Sequence, residues 1–467
     1  MSDMARIISP VDGSLYAERP YLSQSQARQA VSRATEAQRA WRDTALDERL
    51  RILDNAVDTL LEQQDELSEE LAWQMGRPIA QGPGEARGFA ERARYMLEIA
   101  PRALAPIEIA GKAGFKRYIL RDPVGVVLTI APWNFPYMTA VNSVWPALAA
   151  GNAVLLKHAQ QTLICAERLE RVLRQSGLPE GVFQAVHLGH CTTAALLREP
   201  AIRLVSFTGS VRGGRNIQQA VAQSGQFAGT ALELGGKDPA YVRADADITD
   251  AAVNLADGAF FNSGQSCCSV ERLYVHRDVY QPFVEALAAE ALKLSLGTPL
   301  DRGTTLGPMV RAGAADFVRA QVAEAVQAGA TAVIDPKHFA QDKPGTAYMA
   351  PQILTGVDHG MRVMTEESFG PVVGVMAVAS DDEAIRLMND SEFGLSASIW
   401  TPDLEAAERL GRQVQTGTLF MNRCDVLDPA LAWTGVRHSG HGASLSELGY
   451  DALTQPKSFH LRLPSGG

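Results

Sequence analysis

Cysteine is scarce in this chain: five in 467 residues, at Cys165, Cys191, Cys267, Cys268 and Cys424. An odd, sparse set in so long a chain excludes a disulfide framework and points to a reducing compartment, with a cytoplasmic location as the expectation. There is no Cys-x-x-Cys pair and no His-Glu-x-x-His, so no metal site is expected. No run of about 18 apolar residues occurs, which excludes a membrane-spanning helix. The N-terminus, Met1-Ser2-Asp3-Met4-Ala5-Arg6, lacks the apolar core of a signal peptide. Positive charge is in deficit: 43 Lys and Arg against 53 Asp and Glu give a net charge of −10. That balance argues against nucleic acid as a partner, and Arg203, Arg212 and Arg215 are too few to form a basic tract. Internal repeats and low-complexity tracts are also missing.

What is present is ordinary for a soluble globular protein, with 46% hydrophobic and 21% charged residues. The length exceeds what one core usually serves, so two or three domains are expected. Residues 24–104 read as helices, with Ser25 as a cap for the run holding Ala27, Ala30, Val31 and Ala34. Arg117–Arg121 alternates like a strand, and Val124–Ile130 is a near-continuous apolar strand suited to a parallel sheet buried on both faces. Strands at 153–157, 183–186 and 204–207 then alternate with helices at 161–176, 192–198 and 213–224. A second series has strands near 272–276, 330–334, 372–377 and 397–401. This rhythm predicts an α/β fold with doubly wound sheets. Residues 457–463 alternate like an edge strand, and 335–345 reads as an exposed loop.

The chemistry concentrates in a few short stretches. Phe260-Phe261-Asn262-Ser263-Gly264-Gln265-Ser266-Cys267-Cys268 sets two cysteines behind a glycine turn. A thiolate there would be a strong nucleophile, whereas free cysteine is also among the most buried residue types. Glu233 stands 34 residues earlier, in Glu233-Leu234-Gly235-Gly236-Lys237. It reads as a general base at a strand end, or as a helix cap or ion-pair partner. Asn134, between Trp133 and Phe135 in a loop stiffened by Pro132 and Pro136, offers an amide for an oxyanion or simply closes a turn. Nucleophile, base and oxyanion donor together are the minimum for covalent chemistry on a carbonyl.

A second group suits a nucleotide. Phe207-Thr208-Gly209-Ser210 leads from a strand toward a helix, whose N-terminus suits a pyrophosphate, although the G-x-G-x-x-G fingerprint is absent and Gly213-Gly214 could be a plain turn. Lys157 ends a buried strand, where an unpartnered ammonium is costly. Glu366-Glu367-Ser368-Phe369-Gly370-Pro371 puts a carboxylate beside an aromatic ring.

In this order, Pro132-Trp133-Asn134-Phe135-Pro136, Phe207-Thr208-Gly209-Ser210, Glu233-Leu234-Gly235-Gly236-Lys237, Gly264-Gln265-Ser266-Cys267 and Glu367-Ser368-Phe369-Gly370-Pro371 resemble the aldehyde dehydrogenase superfamily over nearly the whole chain. The resemblance implies an NAD- or NADP-dependent oxidation of an aldehyde to a carboxylic acid, without a metal. Cys267, rather than Cys268, would attack; Asn134 and the Cys267 amide would hold the oxyanion; Glu233 would activate the hydrolytic water. Lys157 and Gln160 would meet the adenine ribose, Ser210 the pyrophosphate, Glu367 the nicotinamide ribose and Phe369 the ring, with Trp133, Gly209, Gly214 and Leu234 alongside. Phe135, Ser266, Cys268 and Trp433 would line the substrate pocket.

This chain departs from the family pattern in four places. Gln160 stands where NAD-preferring members usually carry Glu, which removes repulsion toward a 2′-phosphate; Arg212 and His158 are candidates to assist there. Ala432-Trp433-Thr434-Gly435-Val436-Arg437 replaces the usual Pro-Phe-Gly-Gly-x-Lys, which reshapes the pocket wall. Asn142 and Ser143 stand where bulky residues are common, and the N-terminus is shorter than in many members. The substrate stays open: Asp425 and Asp428 would favour a cationic aldehyde, Arg423 a carboxylate-bearing one, and Trp433 with Tyr137 an aromatic one. A coenzyme A-acylating enzyme and a catalytically silent binding protein are the competing readings. The implied architecture is a dinucleotide-binding domain at 1–104 and 124–232, a catalytic domain at 233–446, and bridging segments at 105–123 and 447–467. An exposed hairpin of that kind implies a homodimer or a tetramer.

Overall fold

The computed structural model describes residues 4–464. A two-stranded hairpin, Met4–Ile8 with Leu15–Pro20, precedes four helices at Gln24–Asp43, Leu46–Glu62, Gln64–Met75 and Gly82–Ala103. The first of them is capped by Ser23 rather than Ser25. The Ser23 hydroxyl accepts from the Gln26 N–H while the Gln26 side chain accepts from the Ser23 N–H. Ser25 cannot do this, because the residue three positions on is Arg28.

Six strands form the first sheet, in the order 440–441, 229–233, 202–208, 126–131, 153–158 and 183–185. All pairings are parallel except that of Gly440–His441 on Gly229–Glu233. Val126–Ala131 lies inside the sheet and is buried throughout, as its apolar run requires. The second sheet has seven strands, in the order 331–332, 352–355, 372–378, 270–276, 238–242, 396–400 and 418–421. The strand expected near 330–334 shrinks to the exposed pair Thr331–Ala332, antiparallel to Gln352–Thr355. Beyond it the Gln352 side-chain oxygen accepts from the Ile334 N–H, so a side chain replaces the ladder there.

Three expected helices are also shifted at their starts. Gln160–Thr162 is a 3₁₀ turn leading into Leu163–Gln175. The helix expected from Gly213 begins at Val211, because the Ser210 hydroxyl accepts from the Gly213 N–H and caps it. The segment expected at 192–198 is helical over His190–Leu196. A third, three-stranded antiparallel sheet joins Ile107–Glu108, Phe115–Pro123 and the C-terminal Thr454–Arg462.

The sheets decide where the motifs meet. Pro132-Trp133-Asn134 follows the strand ending at Ala131, Gln160 follows the one ending at His158, Gly209-Ser210 follows Thr208, and Glu233 closes its own strand. Four neighbouring parallel strands thus release these residues at their carboxyl ends, the edge at which open α/β sheets bind ligands.

Candidate active site

Cys267 sits in a turn after three consecutive left-handed residues, Asn262 (φ 52°), Ser263 (φ 59°) and Gly264 (φ 68°). The two non-glycine residues are held in this costly conformation by buried hydrogen bonds. Asn262 Nδ2 donates to Asn134 O and to Gln265 O, both at 3.2 Å. The Ser263 hydroxyl donates to Gly307 O at 2.7 Å. Gln265 Nε2 donates to Asn262 O, and its Oε1 accepts from the Val310 N–H at 2.7 Å. A Cβ on Gly264 would run into Gly370, so glycine is required there by both space and φ.

The Asn134 amide donates to Gln265 O at 3.2 Å, which ties its loop to the cysteine turn. The Cys267 N–H donates to no protein acceptor among the described residues. Cys267 is half-buried and Cys268 buried. The Cys268 thiol is held well above its ordinary pKa by its hydrogen bond with Cys267 and by burial, which argues against Cys268 as the thiolate.

Beneath both loops lies a feature that motif reading missed. Arg77 and Glu85 form a buried ion pair. Arg77 Nη2 also donates to Asn134 O at 2.6 Å, and its guanidinium lies 4.5 Å from the Phe135 ring centroid. Glu85 Oε1 accepts from the Tyr137 and Met138 N–H groups, so a carboxylate caps helix Pro136–Ala149. A fully buried Arg with a fully buried Glu eight residues on would have been the only sequence signal, and in isolation it is not one. Phe135 stacks on Phe261 at 6.3 Å.

Glu233 accepts from the Thr208 hydroxyl at 3.1 Å and from the Ser444 hydroxyl at 2.5 Å. Burial raises its pKa above the ordinary carboxylate value, and those two hydroxyls partly offset this. A small cavity, about 20 Å³, lies beside it between Asn142, Ser206 and Ser444. Arg92 lies within electrostatic reach of Glu85, Cys268, Glu233 and Cys267. Trp433 is buried in the same apolar cluster as Cys268 and bridges to Ser444 through its backbone. Ser266 lies buried beside Cys268, 3.4 Å from its sulfur.

The other motif residues gather on the far side of Cys267. Glu367 Oε1 accepts from the Gly236 N–H at 3.0 Å, and burial pushes its carboxyl up to about 8. Gly235 and Gly236 leave no room for a Cβ against Glu367 and the Cys267 carbonyl respectively. Lys237 is paired with Glu271 and donates to Ser368 Oγ at 3.0 Å, while Glu271 accepts from the Ser368 and Phe369 N–H groups. Phe369, itself left-handed at φ 50°, meets Trp133 edge-on at 5.6 Å.

A cleft of about 900 Å³ opens by Lys157, His158, Gln160, His187 and His190. Burial lowers the Lys157 ammonium to about 8, and its single hydrogen bond is a long one to His158 O, 3.4 Å. Gln160 also lines the cleft, where its Oε1 accepts from the Tyr21 hydroxyl and its Nε2 donates to Arg6 O. No Asp or Glu lines this cleft among the described residues. Ser210 is exposed at its helix N-terminus, and Gly214 packs against the buried Leu234 with no room for a Cβ. Arg212 is exposed. These features fit a dinucleotide, with a lightly engaged cation at one end and a helix N-terminus beyond it.

The model of the aldehyde dehydrogenase family matches residues 2–459. A succinate-semialdehyde dehydrogenase [NADP(+)] of Mycobacterium avium is 34% identical over 464 residues, covering 98% of this chain and 97% of that one. A protein of the same description from Mycobacterium tuberculosis is 35% identical, covering 95% and 96%. Among solved structures, an indole-3-acetaldehyde dehydrogenase complexed with NAD+ superposes with a TM-score of 0.93 at 31% identity, covering 99% of this chain and 94% of that one. An NADP-dependent glyceraldehyde-3-phosphate dehydrogenase from Bacillus halodurans complexed with NADP gives 0.92 at 29%, covering 99% and 96%. Matched by that family's model over residues 2–459 and by relatives along nearly its full length, the chain belongs to the aldehyde dehydrogenase family.

Proposed function

We propose that this protein oxidises an aldehyde to a carboxylic acid with NADP+ or NAD+ through a thioester on Cys267. The observation that carries the reading is the pinned cysteine turn. It presents an unengaged main-chain N–H at Cys267, and Asn134 is tied to the same turn through Gln265. The Cys267 thiolate adds to the carbonyl carbon, and the oxygen, now an oxyanion, is held by that N–H and the Asn134 amide. The dinucleotide, when bound, would supply the hydride acceptor for this carbon, and the oxidised carbon then stays on Cys267 as a thioester. Glu233 takes a proton from water, the hydroxide adds to the thioester carbon, and the thiolate departs with the acid as product. Glu233, poised between Thr208 and Ser444, supports water rather than coenzyme A as the acyl acceptor.

The cleft at Lys157 favours NADP+. Lys157, His187 and His190 line it with no carboxylate among the described residues to repel a 2′-phosphate. Lys157 and Gln160 hold the adenosine end in this reading, Ser210 and the helix beyond it the pyrophosphate, and Glu367 and Phe369 the nicotinamide end. Residues 1–104 and 124–232 act as the dinucleotide-binding unit and 233–446 as the catalytic one. The protein works as a homodimer or a tetramer of dimers, because the three-stranded sheet leaves Ile107 and Leu461 exposed at 45% and 44%. A cytoplasmic, reducing setting suits a chain whose nucleophile must remain a free thiol.

The test is absorbance at 340 nm with a panel of aldehydes and either cofactor, with Cys267→Ala as control. Reduced cofactor formed without coenzyme A and lost in the variant is the expected result. A signal that requires coenzyme A would replace hydrolysis by acyl transfer, and no signal with any aldehyde would sink the reading.

A further inference from the structure

Arg92 projects from helix Gly82–Ala103 toward helix Pro136–Ala149. Its Nη1 donates to Met138 O at 2.6 Å and to Asn142 Oδ1 at 3.4 Å. Its Nε and Nη2 donate to no protein acceptor among the described residues, yet they are not sealed off from solvent-accessible space. No Asp or Glu forms an ion pair with it among the described residues. Arg77, fifteen residues earlier in the chain, is by contrast ion-paired with Glu85. Asn142 Nδ2 also has no protein acceptor among the described residues.

Two free guanidinium donors are costly to leave without an acceptor in a half-buried position, even with Glu85 in electrostatic reach. Nε and Nη2 form the side-on fork that binds a carboxylate with two parallel hydrogen bonds. Asn142, which Arg92 contacts, lines the small cavity beside Glu233, so the fork stands next to the proposed catalytic cavity. A hydrocarbon tail would desolvate this cation and give nothing back.

We propose that Arg92, oriented by Asn142, binds the carboxylate of the substrate's tail, so that the substrate is a short aldehyde with a carboxylate at its far end. This rests on aldehyde oxidation at Cys267. It supplies the choice that Arg423, Asp425 and Asp428 leave open in the sequence.

The test compares kcat/KM for succinic semialdehyde and butanal in the wild type, Arg92→Gln and Arg92→Lys. The expected result is that Arg92→Gln lowers the semialdehyde-to-butanal ratio by about 100-fold, mainly through KM, and that Arg92→Lys recovers part of it. An unchanged ratio, or equal losses on both aldehydes, would overturn the proposal and leave Arg92 a role in the fold or beside the thiol. Wild-type oxidation of butanal without the semialdehyde would overturn it too, while aldehyde oxidation itself would stand. If Arg92→Gln does not fold, or no aldehyde is oxidised, protection of wild-type Cys267 from iodoacetamide decides. Protection by succinate at concentrations about 10-fold below butyrate supports the carboxylate fork, and equal protection overturns it.

Discussion

The side-chain amide of Asn134 donates to the main-chain oxygen of Gln265, two residues before Cys267, and Asn262 returns the contact by donating to Asn134 O. The oxyanion donor and the nucleophile are therefore set against each other by a reciprocal clamp. Asn134→Ala should lower kcat by about 100- to 1,000-fold, the usual cost of an oxyanion donor. Steady-state rates set beside the iodoacetamide labelling rate of Cys267 check this. A labelling rate that falls as far as kcat would mean the amide serves the turn, not the oxyanion.

Glu233→Gln should separate the two halves of the reaction. The first turnover still delivers about one reduced cofactor per subunit, and the later steady state slows by about 100-fold or more, because the amide cannot take the proton from water. Rapid-mixing absorbance at 340 nm shows the burst. In the wild type, burial raises Glu233 above the ordinary carboxylate range, so the steady rate should fall as pH drops through that raised pKa, and this limb should vanish in Glu233→Gln.

Lys157 gives a pH signature on the other side. Burial brings its ammonium down to about 8, so its charge is present below that pH and lost above it. NADP+ should bind progressively more weakly as pH rises from about 7 to 9, where the cation neutralises. Lys157→Arg, which stays charged, should flatten the dependence. Fluorescence titration across that range is the measurement.

Arg77→Ala should act through stability. It leaves Glu85 buried without its cation and frees Asn134 O and the Phe135 face. Breaking one partner of a buried pair costs about 3–5 kcal/mol. Urea unfolding should show a drop of this order, and the Arg77→Ala, Glu85→Gln double variant should lose less than the sum of the singles.

Light scattering at micromolar concentration tests the assembly. A dimeric or tetrameric mass is expected, and charged substitutions at Ile107 and Leu461 should shift it toward the monomer. A monomeric wild type would mean that the three-stranded sheet stands free in water.

The amino-acid sequence by itself determined the alternation of elements and the nature of the cysteine stretch. Val124–Ile130 reads as a buried parallel strand because its apolar residues are nearly continuous, and the strand forms over Val126–Ala131. Phe260–Cys268 reads as a turn carrying thiols because Gly264 interrupts it just before the cysteines, while the φ of 68° and the lack of room for a Cβ at Gly264 come from the fold. Element starts were less legible: Ser23 and Ser210 cap through hydrogen bonds to backbone groups three residues on, and neighbouring serines or glycines look equally able. The tertiary structure alone decided what surrounds each charge. Arg77 is neutralised, Arg92 is not, Gln160 is turned onto Tyr21 and Arg6, and Glu233 rests between Thr208 and Ser444. Each of those outcomes depends on segments far apart in sequence meeting at the carboxyl ends of parallel strands. A side chain's charge is fixed by its chemistry, but its partner is fixed by packing.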